Sequence, residues 1–236
     1  MTALLQAERL EAFYGASQIL HGIDLTIARG EQIALIGRNG MGKTTLLRTL
    51  MGLVPSCRGL RRLHGDDVAG RPPEVIARRG VAMVPEGRGV FGALTVVENL
   101  TMAARPGRDG RATWTLPRIF ELFPRLAERR GHGGHQLSGG EQQMLTIGRA
   151  LMTNPELLLI DEATEGLAPL VAQEIWRTLS VIRSEGVATL VVDKDFRSLS
   201  AIADRMVLLA KGAIVFDGAP TKLAEQPELL ERHLGV

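Results

Sequence analysis

One octet sets the architecture of this chain: Gly37-Arg38-Asn39-Gly40-Met41-Gly42-Lys43-Thr44. It directly follows the apolar run 33–36 and directly precedes the helix-like stretch 45–50. A buried strand, a glycine-rich turn and a helix start are the context that a nucleotide phosphate site requires, because glycines let backbone N–H groups approach the phosphates. Lys43 adds a point charge for the β- and γ-phosphates, and the Thr44 hydroxyl suits Mg²⁺. The octet, with the neighbouring Thr45, predicts a site for ATP and Mg²⁺.

A second apolar run, residues 157–160, ends in the acid pair Asp161-Glu162. In a parallel sheet, ligands bind beyond the carboxyl ends of the strands, so both carboxylates should lie beside the phosphate loop. We expect Asp161 to hold Mg²⁺ and Glu162 to orient and polarise the attacking water. Taken alone, the pair could equally be an acidic helix cap after a buried strand. Next to the octet, the catalytic interpretation is favoured.

The composition argues against a nucleic-acid-binding protein. The 236 residues carry 28 basic and 26 acidic side chains and only 4% aromatics, so neither a basic stripe nor a base-stacking surface is indicated. The N-terminus lacks the features of a signal peptide, and no apolar run approaches the roughly 18 residues of a membrane span. The single cysteine, Cys57, cannot form an internal disulfide, which favours a reducing compartment.

The order of apolar and amphipathic segments indicates an α/β fold. Buried strands are predicted at 33–36, 81–84, 157–160 and 189–192, a helix at 169–183, antiparallel strands at 8–13 and 19–27, and a hairpin around Lys211-Gly212 before a helical tail to residue 236. From about 94 to 151 the strand signal disappears. There Thr95 and Glu98 form a capping-box pattern that opens a helix, and Pro124 interrupts the helical stretch 119–128. We predict a helical insertion in an α/β core.

The third motif is Leu137-Ser138-Gly139-Gly140-Glu141-Gln142-Gln143. Ser138 and Glu141 have capping-box spacing, so the simplest interpretation is a well-capped helix. A helix N-terminus with small residues is also a phosphate site. The octet, this motif and the Asp161-Glu162 pair, in this order, resemble the ATP-binding cassette (ABC) ATPases over essentially the whole chain.

The resemblance implies the ABC ATPase fold: a P-loop NTPase core of the RecA type with an antiparallel β subdomain and a helical insertion. The expected division is 1–93 for the first part of the nucleotide-binding core, with the β subdomain. The helical subdomain would span 94–150, and the second part of the core, with C-terminal helices, 151–236.

The resemblance also assigns roles to the matching positions. Tyr14 would stack on adenine, and Ser138, Gly139 and Gly140, followed by Glu141, would meet the γ-phosphate of ATP held by a partner subunit. Two cassettes would sandwich two ATP molecules head to tail, so one chain cannot build a complete site. Glu86 would reach the Mg²⁺ shell, and the residues around it would contact the coupling helix of a transmembrane permease subunit.

Finer matches narrow the family. They are Val84-Pro85-Glu86-Gly87-Arg88, residues 94–100, 121–126 and 138–151, and Gly166-Leu167-Ala168-Pro169, which look like the ATPases of branched-chain amino acid importers. This chain resembles the shorter of their two ATPases. The resemblance implies import of branched-chain amino acids or related solutes (amides, urea) from the cytoplasmic face of the inner membrane, with a periplasmic solute-binding protein as an indirect partner. It leaves open the solute and whether the dimer is homomeric or heteromeric.

Three places depart from the family pattern. Most cassette ATPases have glutamine where this chain has Glu86, although glutamate is common in the importer subfamily. The switch position after strand 189–192 is usually histidine and is Lys194 here. Lys194 either supplies a fixed positive charge to the γ-phosphate or is merely solvated. Ala163-Thr164-Glu165 replaces the more usual proline and serine after the catalytic glutamate, and the sequence offers no physical account of that change.

Two other functions fit parts of the sequence. A cassette protein acting on ribosomes or DNA would need two ATPase units or a long coiled coil, whereas one motif set fills this chain. A phosphotransferase would leave residues 137–143 unexplained. A transport motor accounts for every motif. The remaining features are given no functional role: we predict that Cys57 lies in a loop and that the basic pairs Arg61-Arg62 and Arg78-Arg79 lie on solvated faces.

Overall fold

Two β-sheets form the scaffold of the computed structural model, which describes residues 3–234. The first is antiparallel and contains β1 (Ala3–Tyr14), β2 (Ser17–Ala28), β4 (Cys57–Leu63) and β5 (Asp66–Asp67), in the spatial order β2-β1-β4-β5. The second contains β3 (Gln32–Ile36), β6 (Val81–Val84), β7 (Leu157–Asp161), β8 (Ala188–Val192), β9 (Arg205–Ala210) and β10 (Ala213–Gly218). Its spatial order is β10-β9-β3-β8-β7-β6, and all its neighbours pair in parallel except β9 and β10.

Helices cover the second sheet and fill the long connection between β6 and β7. Several begin with proline, which suits a first helical turn because its N–H has no partner there. Along the chain they are α1 (Lys43–Leu50), α2 (Pro73–Arg78), α3 (Val96–Thr101), α4 (Leu116–Leu122), α5 (Pro124–Glu128), α6 (Gly139–Leu151), α7 (Pro169–Ser184), α8 (Phe196–Ile202), α9 (Pro220–Ala224) and α10 (Pro227–His233). Within residues 3–234, none of these helices combines the length and apolar character needed to cross a bilayer.

The central sheet is buried on both faces. Ala34 and Ile36 of β3 contribute to a core shared with α6 and α7, whereas Ile33 and Leu35 contribute to a core shared with α1 and the antiparallel sheet. Successive side chains of a strand point to opposite faces, so a strand between two cores must be apolar at every position. This burial explains the uninterrupted apolar runs.

The strand order brings three loops to one edge of the sheet. β8 lies between β3 and β7, with Val192 opposite both Leu35 and Asp161. The loops that follow β3, β7 and β8 therefore leave from the same carboxyl edge, although they are far apart in the sequence.

The α/β fold with an antiparallel sheet and a late hairpin is confirmed, and two finer predictions are wrong. Cys57 is the first residue of β4 rather than a loop residue. The arginines of β4 interrupt the apolar pattern that would have predicted a strand there. Arg61 in that strand is buried, not solvated. The predicted interruption of the helical stretch 119–128 is confirmed: the chain leaves the helical conformation at Phe123, and a second helix begins at Pro124. Met1, Thr2 and the last two residues of the predicted helical tail lie outside the described residues.

Candidate functional site

The phosphate loop connects β3 to α1 through backbone conformations that glycine favours. Gly37, Gly40 and Gly42 have φ angles of 147°, 76° and 103°. A Cβ at Gly37 would lie 2.3 Å from the carbonyl oxygen of Leu209, so only glycine fits against β9 there. Gly42 is the N-cap of α1, and the loop therefore delivers the first N–H groups of that helix to the cleft.

Lys43 curls back over the loop that precedes it. Its Nζ donates to the carbonyl oxygens of Gly37 (2.7 Å) and Arg38 (3.0 Å). The residue is buried, and this burial lowers the pKa of Lys43 against the opposing effect of the Asp161 carboxylate. The ammonium is thus preplaced where an anion bound in the loop would meet it.

Asp161 and Thr44 meet at the edge of the cleft. The Thr44 hydroxyl donates to Asp161 Oδ1 at 3.2 Å, and Asp161 Oδ2 is buried with no hydrogen-bond partner among the described residues. Burial raises the pKa of Asp161, and the hydrogen bond from Thr44 opposes the shift. Oxygen atoms of this kind are the ligands that Mg²⁺ prefers, so the buried free oxygen beside the hydroxyl fits the predicted ion.

Glu162 has an unusual backbone conformation. Its φ is 54°, in the left-handed region that glutamate rarely occupies, and its Oε2 is buried without a partner among residues 3–234. Strained backbone of this kind costs about 1–3 kcal/mol and occurs most often where a functional side chain must be aimed. Here it directs the carboxylate into the cleft.

The cleft has a volume of about 400 Å³. Tyr14, 45% exposed, stands at its wall, and the apolar contact of Ile19 was not anticipated from the sequence. Nearly all of its lining was predicted from the motifs: Tyr14, Asn39, Gly40, Gly42, Lys43, Thr44, Thr45, Glu86 and Glu162. Gly37 and Arg38 instead line an adjoining cavity of about 470 Å³ together with Lys194. Met41 anchors the loop, because its carbonyl accepts from Gly212 N at 3.0 Å.

Three carboxylates and one lysine gather where Glu86 and Glu162 line the cleft. One oxygen from each of Glu86, Glu162 and Glu165 lies within 4.8 Å of the others. The Lys194 ammonium pairs with Glu165 and lies 4.0 Å from Glu162 Oε1. The hydrogen bond to Glu165 raises the pKa of Lys194. Lys194 is exposed but paired, and Glu165 is a member of this cluster that the sequence did not single out.

The motif at 137–143 caps α6. Ser138 Oγ accepts from Glu141 N at 3.4 Å, and Glu141 Oε2 accepts from Ser138 N at 2.7 Å, so the predicted capping box is present. A Cβ at Gly140 would lie 2.5 Å from Val171 Cγ1, which explains the need for glycine against α7. Among the described residues that line the cleft, none comes from Ser138 to Glu141. The fold of one chain does not bring this motif to the phosphate loop.

Comparisons with known proteins agree with this geometry. A family model described as ABC transporter matches residues 20–165. The chain is 40% identical to BraG of Pseudomonas aeruginosa, a high-affinity branched-chain amino acid transport ATP-binding protein, over 98% of this chain and 100% of that protein. It is 31% identical to LptB of Escherichia coli, a lipopolysaccharide export system ATP-binding protein, over 99% and 98% of the two chains.

Solved structures show the same fold. A nucleotide-free ATP-binding cassette from an ABC transporter superposes with a TM-score of 0.84 at 23% identity, covering 97% of this chain and 98% of that one. The family match and the 40% identity over nearly the full length show the family, and the superposition shows the fold. The chain belongs to the ABC transporter family and is an ATP-hydrolysing subunit.

Proposed function

We propose that this chain hydrolyses ATP in the cleft between the phosphate loop and Glu162 and thereby powers import of branched-chain amino acids or related small solutes such as amides and urea. The observation that carries the proposal is the convergence of Lys43, Thr44, Asp161 and Glu162 from separate segments. The likeness to BraG supports the solute class. LptB, which is named for lipopolysaccharide export, is less similar.

In this proposal the nucleotide extends from Tyr14 to Glu162. Tyr14 stacks on adenine, the loop N–H groups from Arg38 to Thr45 bind the phosphates, and Lys43 exchanges its two carbonyl acceptors for phosphate oxygens. Thr44, Asp161 and Glu86 would hold Mg²⁺, which when bound neutralises charge on the β- and γ-phosphates.

The catalytic carboxylate in this proposal is Glu162. Its buried, unpartnered oxygen can accept a hydrogen bond from the attacking water and orient it towards the γ-phosphate. Its left-handed backbone keeps the side chain aimed at the cleft, so little reorganisation is needed before hydrolysis. Lys194 adds a positive charge at the same end.

A second cassette would complete the site. The N-terminus of α6 is capped and carries small residues, and among the described residues it does not line the cleft of its own chain. Its dipole and the Ser138, Gly139 and Gly140 groups suit an anion held by another subunit. Glu141 serves there by holding the cap in place. We propose a dimer, with a longer sister ATPase as the favoured partner.

Permease subunits would bind at an apolar groove near α3. The groove has a volume of about 330 Å³, and Phe91 (49% exposed) and Met102 (55% exposed) stand at its surface among Met51, Ala82, Met83 and Ala150. Exposed large apolar side chains beside a groove are typical of a protein interface. This contact would hold the chain at the cytoplasmic face of the inner membrane.

The role of Glu162 is tested with Glu162→Gln, which keeps the side-chain shape and removes the charge. We expect ATP binding to persist and hydrolysis to fall at least about 100-fold, the usual effect of losing a general base or electrostatic group. The variant should also accumulate as a dimer with Mg²⁺ and ATP, measured by light scattering. The control is Glu174→Gln in α7, which removes a half-buried carboxylate whose Oε2 lies 3.9 Å from Arg125 Nε outside the cleft, and this variant should hydrolyse ATP normally. Near-normal hydrolysis by Glu162→Gln would reject the assignment.

A further inference from the structure

The loops that follow β7 and β8 are joined along their length. Ala163 N donates to Val192 O at 3.3 Å. Thr164 then donates twice to Asp193 Oδ2, from its backbone N and from its hydroxyl, both at 2.8 Å. The Lys194–Glu165 ion pair closes the series. Residues 162–165 and 193–195 therefore behave as one unit, although the two segments are about thirty positions apart.

These contacts give a physical account of two separate departures from the family pattern. A proline at position 163 would have no N–H to donate to Val192 O. A serine at position 165 could not neutralise a lysine at position 194, whereas a glutamate can. Glu165 and Lys194 are therefore complementary in charge, and Ala163 keeps the N–H that joins the two loops.

The ion pair stands between the catalytic carboxylate and the phosphate loop. Lys194 Nζ is 4.0 Å from Glu162 Oε1 and lines the cavity whose other wall includes Gly37, Arg38 and Asn39. Lys194 has several rotatable bonds and is exposed, so without a fixed partner its ammonium would sample many positions. Glu165 supplies that partner.

Charge also favours a fixed lysine here. Glu86, Glu162 and Glu165 place three carboxylates together at the end of a cleft that would receive a triphosphate. Like charges at such distances oppose one another, and an ammonium in their midst offsets the repulsion. If the Lys194 ammonium left this position, Glu162 would face the carboxylates of Glu86 and Glu165 and the bound nucleotide without a neighbouring positive charge.

We propose that Glu165 is a positioning residue for hydrolysis, which holds the Lys194 ammonium beside Glu162, so that the two residues act as a single unit. The inference rests on the proposed function of Glu162. It gives the loop between the acid pair and α7 a function in hydrolysis. It also implies that Lys194 contributes to hydrolysis only when Glu165 is present.

A double-mutant cycle on ATP hydrolysis by the full chain in the assembled transporter tests the proposal. Glu165→Gln and Lys194→Met should each lower kcat about tenfold with the KM for ATP changed less than threefold, because orientation and not nucleotide binding is lost. The double variant should be no slower than either single one, since residues that act as a unit are not additive. Lys194→Arg keeps a cation for Glu165 and should recover most of the rate.

Two controls separate the possible failures. Glu185→Gln breaks a surface pair in which Arg118 lies 2.5 Å away, and it should leave kcat unchanged. Glu162→Gln, measured in parallel, sets the background rate. If it remains active, the proposed function fails. If it is inactive while Glu165→Gln is at the normal rate, or if the Glu165 and Lys194 losses multiply, only the positioning role is overturned.

Discussion

At the scale of single residues, Arg61 shows how an arginine can serve as a core residue. It is 2% exposed in β4, and its guanidinium donates to the carbonyl oxygens of Thr49, at the end region of α1, and Val68 (3.0 Å). The side chain thus ties the antiparallel sheet to the helix that carries the phosphate loop. Burial lowers the pKa of Arg61, but the group remains a hydrogen-bond donor of fixed geometry.

We predict that Arg61→Ala destabilises the fold by about 3 kcal/mol, because it removes two hydrogen bonds to buried carbonyl oxygens and opens a cavity. Urea unfolding followed by circular dichroism measures the change. Arg62→Ala is the matched control. The Arg62 side chain is exposed, with its guanidinium 3.9 Å from the Glu8 carboxylate, and its removal should change stability by less than about 0.5 kcal/mol. Equal losses in the two variants would contradict the role given to Arg61.

At the scale of elements, α3 and α6 begin with the same device. Thr95 and Glu98 cap α3 as Ser138 and Glu141 cap α6. Only the start of α6 is proposed to meet a nucleotide in a partner subunit. The two helices therefore allow the structural effect of a cap to be separated from an effect on ATP.

Ser138→Ala should cost about 1 kcal/mol of stability through the lost cap and should also lower ATP hydrolysis. Ser138→Asp should keep the stability, because aspartate caps as well as serine, yet it should lose hydrolysis because its charge opposes the triphosphate. Thr95→Ala, the control on α3, should lose similar stability and keep its activity. Thermal unfolding and ATPase assays of the three variants give the answer. Normal hydrolysis by Ser138→Asp would reduce Ser138 to a helix cap.

At the scale of the whole molecule, the cleft and the groove near α3 are linked by a short segment. Glu86 lines the cleft, and Phe91, five positions later, lines the groove. Arg149 of α6 stacks on the Phe91 ring at 5.0 Å and donates to Gly89 O at 2.7 Å, so the same segment also contacts the capped helix. A permease bound in the groove would thus be coupled to both proposed ends of the ATP site.

Met102→Glu should prevent assembly, because it places a charge in an apolar interface while leaving an exposed position of the free chain undisturbed. We expect loss of co-purifying permease subunits and of energised uptake, assayed with leucine, urea and a short amide as separate solutes. Val181→Glu on α7, also exposed and apolar in the parent chain, is the control and should assemble. Assembly of Met102→Glu at normal yield would move the permease contact elsewhere, and uptake confined to urea or the amide would revise the solute class.

Much of the candidate site could be predicted from the sequence because its determinants are local. Gly40 and Gly42 are favoured by the left-handed φ angles of the loop itself, and the capping boxes span four residues. The apolar run 157–160 predicts a buried strand, and the acid pair Asp161-Glu162 therefore lies at the end of that strand. An uninterrupted run of apolar residues is enough to predict a strand that is covered on both faces. The alternation of such strands with helices predicts the parallel sheet.

The tertiary structure decided what depends on contacts between distant segments. The sequence does not show that β8 lies between β3 and β7, so it could not reveal that Glu165 meets Lys194 or that Thr164 bonds to Asp193. It likewise could not show that Arg61 is buried, because that burial depends on contacts of its guanidinium with the carbonyl groups of Thr49 in α1 and of Val68. Short sequence patterns determine the local conformation of loops and helix ends. Ion pairs and burial between distant segments depend on the spatial order of the strands in the sheet.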